Sequence, residues 1–342
     1  YLEEGDRAEI TRAGAVITDA RGHRVNRPVR TVRAESARID KAGHKHFMSK
    51  EIAEQPAAVA AALSAYLSAD GKTLHMPEAL DFSAVGRVVL VACGTAYYAC
   101  LTAKYWLEQI AGLPVEVDIA SEYRYREPPV SPDTLAVFVS QSGETADTLA
   151  ALRHVRGRAA RIVSVTNVPE SSIAREADLD LQIRAGPEIG VASTKAFTCQ
   201  LTVLLLMTLH AARQRDRLDA AALADRLSAL RGLPAQITQA LDLDDVLRQA
   251  AARIAEARDV LFLGRGLMYP LAFEGALKLK EISYIHAEGY ASGELKHGPI
   301  ALIDKSVPVV VMAPRDPLFD KTVSNMQEVM ARDGQVLLIT DA

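Results

Sequence analysis

Over the first thirty-three positions, apolar and polar residues alternate. AEITRAG and AVITDARGHRV carry this two-residue period around Gly-containing turns, which predicts small hairpins that cannot bury a core alone. From about residue 46 the period lengthens. MSKEIAEQPAAVAAALSAYLS is alanine-rich with apolar positions at helical spacing, and it predicts a helix interrupted at Pro56.

From about residue 86 strand-like and helix-like runs take turns. RVVLVACG predicts a buried strand and AYYACLTAKYWLEQIAG a helix. PVEVDIA and TLAVFVS predict the next strands, TADTLAALRHVRG a helix, and ARIVSVTN a fourth strand. Strands alternating with helices imply right-handed βαβ units and a parallel sheet. The order then recurs as DVLFLGRG, MYPLAFEGALKLKEIS, VPVVVMAPRDP with a following helix, and GQVLLITD. Pairing Gly94 with Gly264, Ser121 with Ser292 and Asn167 with Asp341 gives offsets of about 170 to 174, the mark of an internal duplication. The charged helical stretch 213–256 reads as the connector. The second copy stops just after its ITD strand, where the first continues for about fifty residues, and the chain opens on Tyr1 rather than Met. The expectation is a chain cut short at both ends.

The duplication supplies an internal control for one loop. After the TLAVFV run the first copy carries SQSGET, and the second carries MAPRDP at the matching place. A loop needed only to join strand to helix does not require Ser140, Gln141, Ser142 and Thr145 in one copy and none of them in the other. Ligands of open parallel sheets bind beyond the carboxyl ends of the strands. A helix N-terminus there offers free amides and the positive end of its dipole, Gly143 allows close backbone approach, and hydroxyls add donors. That combination suits a phosphate. The alternative is that Ser142 or Thr145 merely caps the helix. No GK[ST] follows, so a P-loop for a nucleoside triphosphate is not indicated. ACGTA (92–96) and GPEIGVASTKAFT (186–198) are expected at the same edge. Cys93 reads as a small residue at a strand end or as a nucleophile, with nothing nearby in sequence to form its thiolate.

Composition narrows the class. A net charge of −4 without Lys/Arg-rich runs argues against nucleic acid as a partner. Cys93, Cys100 and Cys199 form no CxxC pair, so neither a disulfide framework nor a metal site is indicated, and a reducing cytoplasm is the expected compartment. LTVLLLMTLHAA (201–212) is too short to span a bilayer and predicts a buried helix, so no membrane partner is expected. No signal peptide is visible.

The second copy contributes the acid–base candidates. EGALKLKEISYIHAEGYASGELKHGP runs from Glu274 to Pro299 and places Glu274, Lys278, Lys280 and Glu281 on one helix. Lys278 and Glu281, three apart, share a face. They read either as a solvated ion pair or, with His286 or His297, as groups that move protons on a sugar phosphate held by the other copy.

Together, CGTAYYA, SEYRYR, SQSGETADTL, EIGVASTKAFT and the Glu274–Pro299 run resemble the glutamine–fructose-6-phosphate aminotransferase (isomerizing) family, with its paired sugar isomerase (SIS) domains. YLEEGD resembles the last strands of that family's glutaminase domain. The resemblance implies an α/β fold of two tandem flavodoxin-like SIS domains, the second incomplete, after a short β remnant. The boundaries would be 1–33 for the remnant, 34–78 for a linker and helix, 79–218 for the first domain, 219–250 for a connector and 251–342 for the second domain. It implies conversion of fructose 6-phosphate to glucosamine 6-phosphate with ammonia from glutamine, in a homodimer without a cofactor. Ser140, Gln141, Ser142 and Thr145 would hold the phosphate. Cys93, Gly94, Thr95, Val191 and Ser193 would line the sugar site. Glu281 would shuttle the proton between C1 and C2, Lys278 would assist at the sugar hydroxyl, and His297 of the neighbouring subunit would open the ring. Ala96 stands where the family usually has Ser. The glutaminase cysteine and the tail lysine are not in this sequence.

Two other readings remain open at this point. One is a SIS-domain ketosamine deglycase or sugar-phosphate deaminase, against which residues 1–33 speak. The other is a non-catalytic sugar-phosphate sensor, for which no helix-turn-helix is apparent.

Overall fold

The structure, a computed structural model, describes residues 2–28 and 40–341. It divides into two compact units, 1–38 and 39–342. The first residues of the expected 34–78 linker lie outside the described residues.

The first unit is an antiparallel sheet of β1 (Arg7–Thr11), β2 (Gly14–Thr18) and β3 (Arg24–Val25), in that order. Arg27 clasps Asp6 through two bonds of 2.8 Å. The alternation read in the sequence is thus a hairpin with a third short strand.

The second unit begins with α1 (Phe47–Tyr66). The expected interruption at Pro56 is not found, because the helix runs through it. Proline removes one amide donor from a helix interior. Here the Gln55 side-chain amide donates to Ile52 O at 3.1 Å, the carbonyl that an amide at position 56 would have served.

The first α/β repeat follows as β4 (Arg87–Ala92), α2 (Gly94–Gln109), β5 (Val115–Ile119), α3 (Ala120–Arg126), β6 (Thr134–Ser140), α4 (Ala146–Val155), β7 (Arg161–Thr166), α5 (Ser172–Glu176), β8 (Leu179–Gln182) and α6 (Lys195–Gln214). Its strands are all parallel, in the order β5-β4-β6-β7-β8. Counted within the repeat this is 2-1-3-4-5, the flavodoxin-like order, whose switch point falls between its first and third strands. Side chains alternate across the sheet as strand geometry requires. Val88, Leu90, Leu135 and Val137 pack under α1, α2 and α6. Val89, Val91, Ala136 and Phe138 pack under α3, α4 and α5. Strands covered on both faces read as unbroken apolar runs, which is why RVVLVA and TLAVFV were legible. The short β8 and α5 were not, because LDLQ is half polar.

The apolar run at 201–212 belongs to a 20-residue helix, so the reading that it is too short needs correction. By length and composition α6 is the one helix among the described residues able to cross a membrane, yet 72 % of its apolar window is buried inside the fold. It packs against α1 and α2, and that packing accounts for its hydrophobicity.

Helices α7 (Ala220–Leu241) and α8 (Asp244–Ile254) occupy the connecting stretch. The second repeat then runs β9 (Asp259–Gly264), α9 (Met268–Ser283), β10 (His286–Ala291), 3-10 turns at Ser292–His297 and Pro299–Leu302, β11 (Pro308–Met312), α10 (Phe319–Met330) and β12 (Gln335–Ile339). Its parallel order, β10-β9-β11-β12, repeats 2-1-3-4. HAEGYA forms β10, a strand the sequence reading did not assign, since two of its six residues are polar or charged and one is glycine.

Candidate functional site

The switch point of the first sheet lies between β4 and β6, and both strands end there in small residues, Ala92 and Ser140. β4 passes into α2 through Cys93 and Gly94, the latter at φ +54. β6 ends at Ser140, and the loop to α4 turns at Gly143, φ +65. A Cβ on Gly143 would lie 1.9 Å from Ser171 Oγ, so space and backbone conformation both require glycine there.

A cavity of about 200 Å³ opens at this edge, lined by Cys93, Thr95, Ala96, Val139, Ser140, Gln141, Ser142, Thr145, Ser193 and Gln200. Seven of the nine expected substrate-binding residues line it. Gly94 does not line it but starts α2 beside it. Val191 does not line it either, being 96 % exposed.

The hydroxyls are not spent on capping. Thr145 is the N-cap residue of α4, but its side chain makes no cap bond. Instead Thr145 Oγ1 pairs with Ser140 Oγ at 2.9 Å, and Ser140 Oγ accepts from Gly143 N at 3.1 Å. Ser142 Oγ accepts from Glu144 N at 3.2 Å. The first amides of a helix have no intrahelical partner. At α4, and likewise at α2, no side chain of the N-cap residue takes them. The N-terminus of α6 differs. Glu188 accepts there from Thr194 N at 2.9 Å and Ala196 N at 3.1 Å, and its other oxygen accepts from Ser193 Oγ at 2.9 Å. Glu188 supplies a negative charge at the start of α6, whereas the first-turn Asp147 of α4 is paired with Arg124 at 2.8 Å.

Helix α1 holds the segment around Glu188 in place. Glu51, almost fully buried, accepts from Ile189 N at 2.5 Å and Gly190 N at 3.0 Å. Glu54 pairs with the buried Lys195 at 2.7 Å, and Gln55 accepts from Thr198 Oγ1 at 2.6 Å. Burial raises the Glu54 carboxyl pKa, but the bonds from Lys195 and Lys50 hold it below its ordinary value overall.

The second repeat reaches this edge through α9, which packs on α2 with Tyr98 stacked on Phe273 at 5.6 Å. Lys278 Nζ lies 2.6 Å from Glu281 Oε2, 3.4 Å from Glu274 Oε1 and 2.9 Å from Thr95 Oγ1. Thr95 Oγ1 in turn donates to Glu274 Oε1 at 3.1 Å. Lys278 and Glu281 are therefore no freely solvated surface pair, since the side chains are only 19 % and 32 % exposed and Lys278 touches a cavity residue. Glu274 is more buried still. Burial, opposed by Lys278, pushes its carboxyl up to about 7.

The two candidate histidines stand elsewhere. His286 opens β10, at the amino end of the sheet, and pairs with Asp259 at 2.9 Å. A residue there faces away from the carboxyl edge where ligands bind. His297 ends a 3-10 turn, is exposed, and does not line the cavity of its own chain.

Sequence reasoning missed Glu51, Glu188 and Gln200. Glu51, Glu54 and Gln55 sit three and four apart in an alanine-rich helix, a polar stripe that could have flagged the contact. Gln200 sits inside an apolar helix, fully buried, with Oε1 unpartnered. Among the described residues no cluster of three or more His, Cys, Asp or Glu could hold a metal ion.

Known proteins share this architecture and sequence. The SIS domain family model matches residues 81–210 and 253–342. Glutamine–fructose-6-phosphate aminotransferase (isomerizing) of Zymomonas mobilis is 55 % identical over 342 residues, all of this chain and 56 % of that protein. That of Brucella abortus is 54 % identical over the same span. The chain thus spans about half the length of the curated relatives it matches. The C-terminal domain of glucosamine-fructose-6-phosphate aminotransferase from Francisella tularensis superimposes with a TM-score of 0.86 at 48 % identity, covering 88 % of this chain and 85 % of that one. The chain belongs to the SIS-domain family, and within it matches the C-terminal, isomerase portion of the glutamine–fructose-6-phosphate aminotransferases.

Proposed function

We propose that this chain binds fructose 6-phosphate and carries out the isomerising half of glucosamine 6-phosphate formation, with ammonia derived from glutamine by a separate glutaminase domain. The observation that carries the reading is the cavity at the first switch point. Ser140, Gln141, Ser142 and Thr145 line it beside two helix N-termini without side-chain caps, while Lys278 reaches Thr95 from the other repeat.

In this reading the phosphate sits against the 140–145 loop and the amides of α4. Cys93, Gly94, Thr95 and Ser193 border the sugar, with Val191 above it. Moving a proton between adjacent carbons needs a carboxylate within reach of both, and Glu281 takes that role. Lys278, 2.6 Å from Glu281 and 2.9 Å from Thr95, stabilises charge at the sugar hydroxyl. His297, exposed on its own chain, serves ring opening in the site of a second copy, which makes the working unit a homodimer. The chemistry calls for no cofactor. Three unpaired cysteines fit a reducing, cytoplasmic setting.

The test is hydrogen exchange at C1 and C2 during interconversion of glucose 6-phosphate and fructose 6-phosphate, measured in the complete natural polypeptide that contains these residues. General acid–base catalysis contributes roughly 10²–10⁴-fold, so Glu281→Gln should slow exchange by that order while leaving sugar-phosphate affinity within about twofold. Exchange at the wild-type rate in that variant removes Glu281 from the role.

A further inference from the structure

One buried carboxyl in this neighbourhood has no task in the mechanism above. Glu274 is 6 % exposed and lies on α9, one turn before Lys278. Its Oε1 accepts from Thr95 Oγ1 at 3.1 Å and lies 3.4 Å from Lys278 Nζ, while its Oε2 is buried without a hydrogen-bond partner. Leaving a buried polar atom unpaired costs stability, and removing a carboxyl from water costs more. The apolar contact of α9 on α2 is supplied by Phe273 stacked on Tyr98, not by this carboxyl.

Lys278 Nζ donates to Thr95 Oγ1, and Thr95 Oγ1 donates to Glu274 Oε1, so the three close a ring between the repeats. Without Glu274 the Thr95 hydroxyl is free to rotate, and Lys278 keeps Glu281 as its one carboxylate partner on α9. The cavity is lined by the first repeat, while the proton-handling groups ride on the second. Their alignment therefore depends on a polar tie across α2 and α9.

We propose that Glu274 is a positioning residue: through Thr95 and Lys278 it fixes the ammonium between the two repeats and so aligns Lys278 and Glu281 with the sugar carbons. This rests on the reading of Lys278 and Glu281 given above.

The experiment uses the complete natural polypeptide and compares Glu274→Leu with Glu274→Gln. Leucine fills similar space without polar atoms, and Lys278 keeps Glu281 as a charged partner at 2.6 Å. The Leu variant should fold and bind glucose 6-phosphate within about twofold of wild type. Its C1–C2 exchange should be at least tenfold slower. Gln still accepts from Thr95 and should recover at least threefold of that loss. Exchange within twofold of wild type in the Leu variant overturns the proposal, as does an equal loss in affinity and rate.

If the Leu variant does not fold, the pH dependence of Glu274→Gln decides. The groups whose charges bear on Glu274 are Lys278 and Glu281 on α9 and Tyr98 on α2. The wild-type rate should change around pH 7 and the Gln variant should lose that inflection, whereas an unaltered profile overturns the proposal. Glu281→Gln, measured alongside, separates the two ideas. If exchange survives in Glu281→Gln, Glu281 is removed from the role on which the positioning proposal rests. If exchange is lost there but unchanged in Glu274→Leu, only the positioning role fails.

Discussion

Ser142 shows how one side chain serves a loop and remains available to a ligand. Its hydroxyl oxygen accepts from Glu144 N within the turn, and the side chain still lines the cavity. A hydrogen bond to a charged group is worth about 1.5–3 kcal/mol. Ser142→Ala should therefore weaken binding of hexose 6-phosphates about tenfold or more and barely change binding of the unphosphorylated sugars. Calorimetry with both ligands checks this, and equal loss for the two would move the phosphate elsewhere. Glu274 gives a second prediction at this scale, on stability. Its carboxyl is raised from 4.5 to about 7, chiefly by burial. The folded protein thus holds the proton more tightly than the unfolded chain between those values, and this group's contribution to stability falls as pH rises from about 4.5 through about 7. Glu274→Gln carries no such proton. Its melting temperature relative to wild type should be higher at pH 7.5 than at pH 5. A constant difference across that range would mean that Glu274 is not buried and charged as described.

At the scale of elements, α1 works as a clamp on the segment before α6. Glu51, Glu54 and Gln55 project from successive turns onto Gly190, Lys195 and Thr198, more than 130 residues away in sequence. Three fixed points keep Ser193 at the cavity, where Glu188 ties it to the start of α6. A hydrogen bond to a charged group contributes about 1.5–3 kcal/mol. Glu51→Ala should accelerate hydrogen exchange at the amides of Ile189 and Gly190 selectively and weaken sugar-phosphate binding severalfold. Protection unchanged at those two amides would show that the segment is held by other contacts. The same reasoning explains why α6 is so apolar. It is enclosed by α1, α2 and the sheet, and Val203, Leu204, Leu206 and Met207 are fully buried there.

At the scale of the whole molecule, two repeats share one strand order and carry different residues at their switch points. The first carries hydroxyls at its switch point. At the matching place the second has MAPRDP between β11 and α10, and after β9 it has Arg265, which donates to Asn325 at 3.2 Å. One hexose phosphate per chain is the expected stoichiometry, and calorimetry giving two would mean that the second switch point binds as well. The exposed His297 leads to a test of assembly. Two inactive full polypeptides, His297→Ala and Glu281→Gln, should recover part of the activity when their subunits are exchanged, because one hybrid site then holds both native residues. No recovery under proven exchange would place His297 in its own chain's site.

The sequence by itself determined the duplication, the parallel α/β class and the hydroxyl loop. Each depends on periods of two or 3.6 residues or on a short run of residue types, which are local properties of the chain. It also made the Lys278–Glu281 pair visible, because three residues along a helix is a fixed distance. Where the local signal was mixed, as in HAEGYA and LDLQ, the strands escaped notice, and Pro56 misled because the neighbouring Gln55 side chain replaces the missing bond. Only the tertiary structure decided that Thr95 meets Lys278 and Glu274 across some 180 positions, that Glu51 serves the amides before α6, and that Val191 and His297 stand outside the cavity of their own chain. Those pairings depend on how α9 packs on α2 and α1 on α6, which no local period encodes. Packing brought the two repeats' polar groups to one edge, and burial then converted an ordinary glutamate into one that titrates near 7.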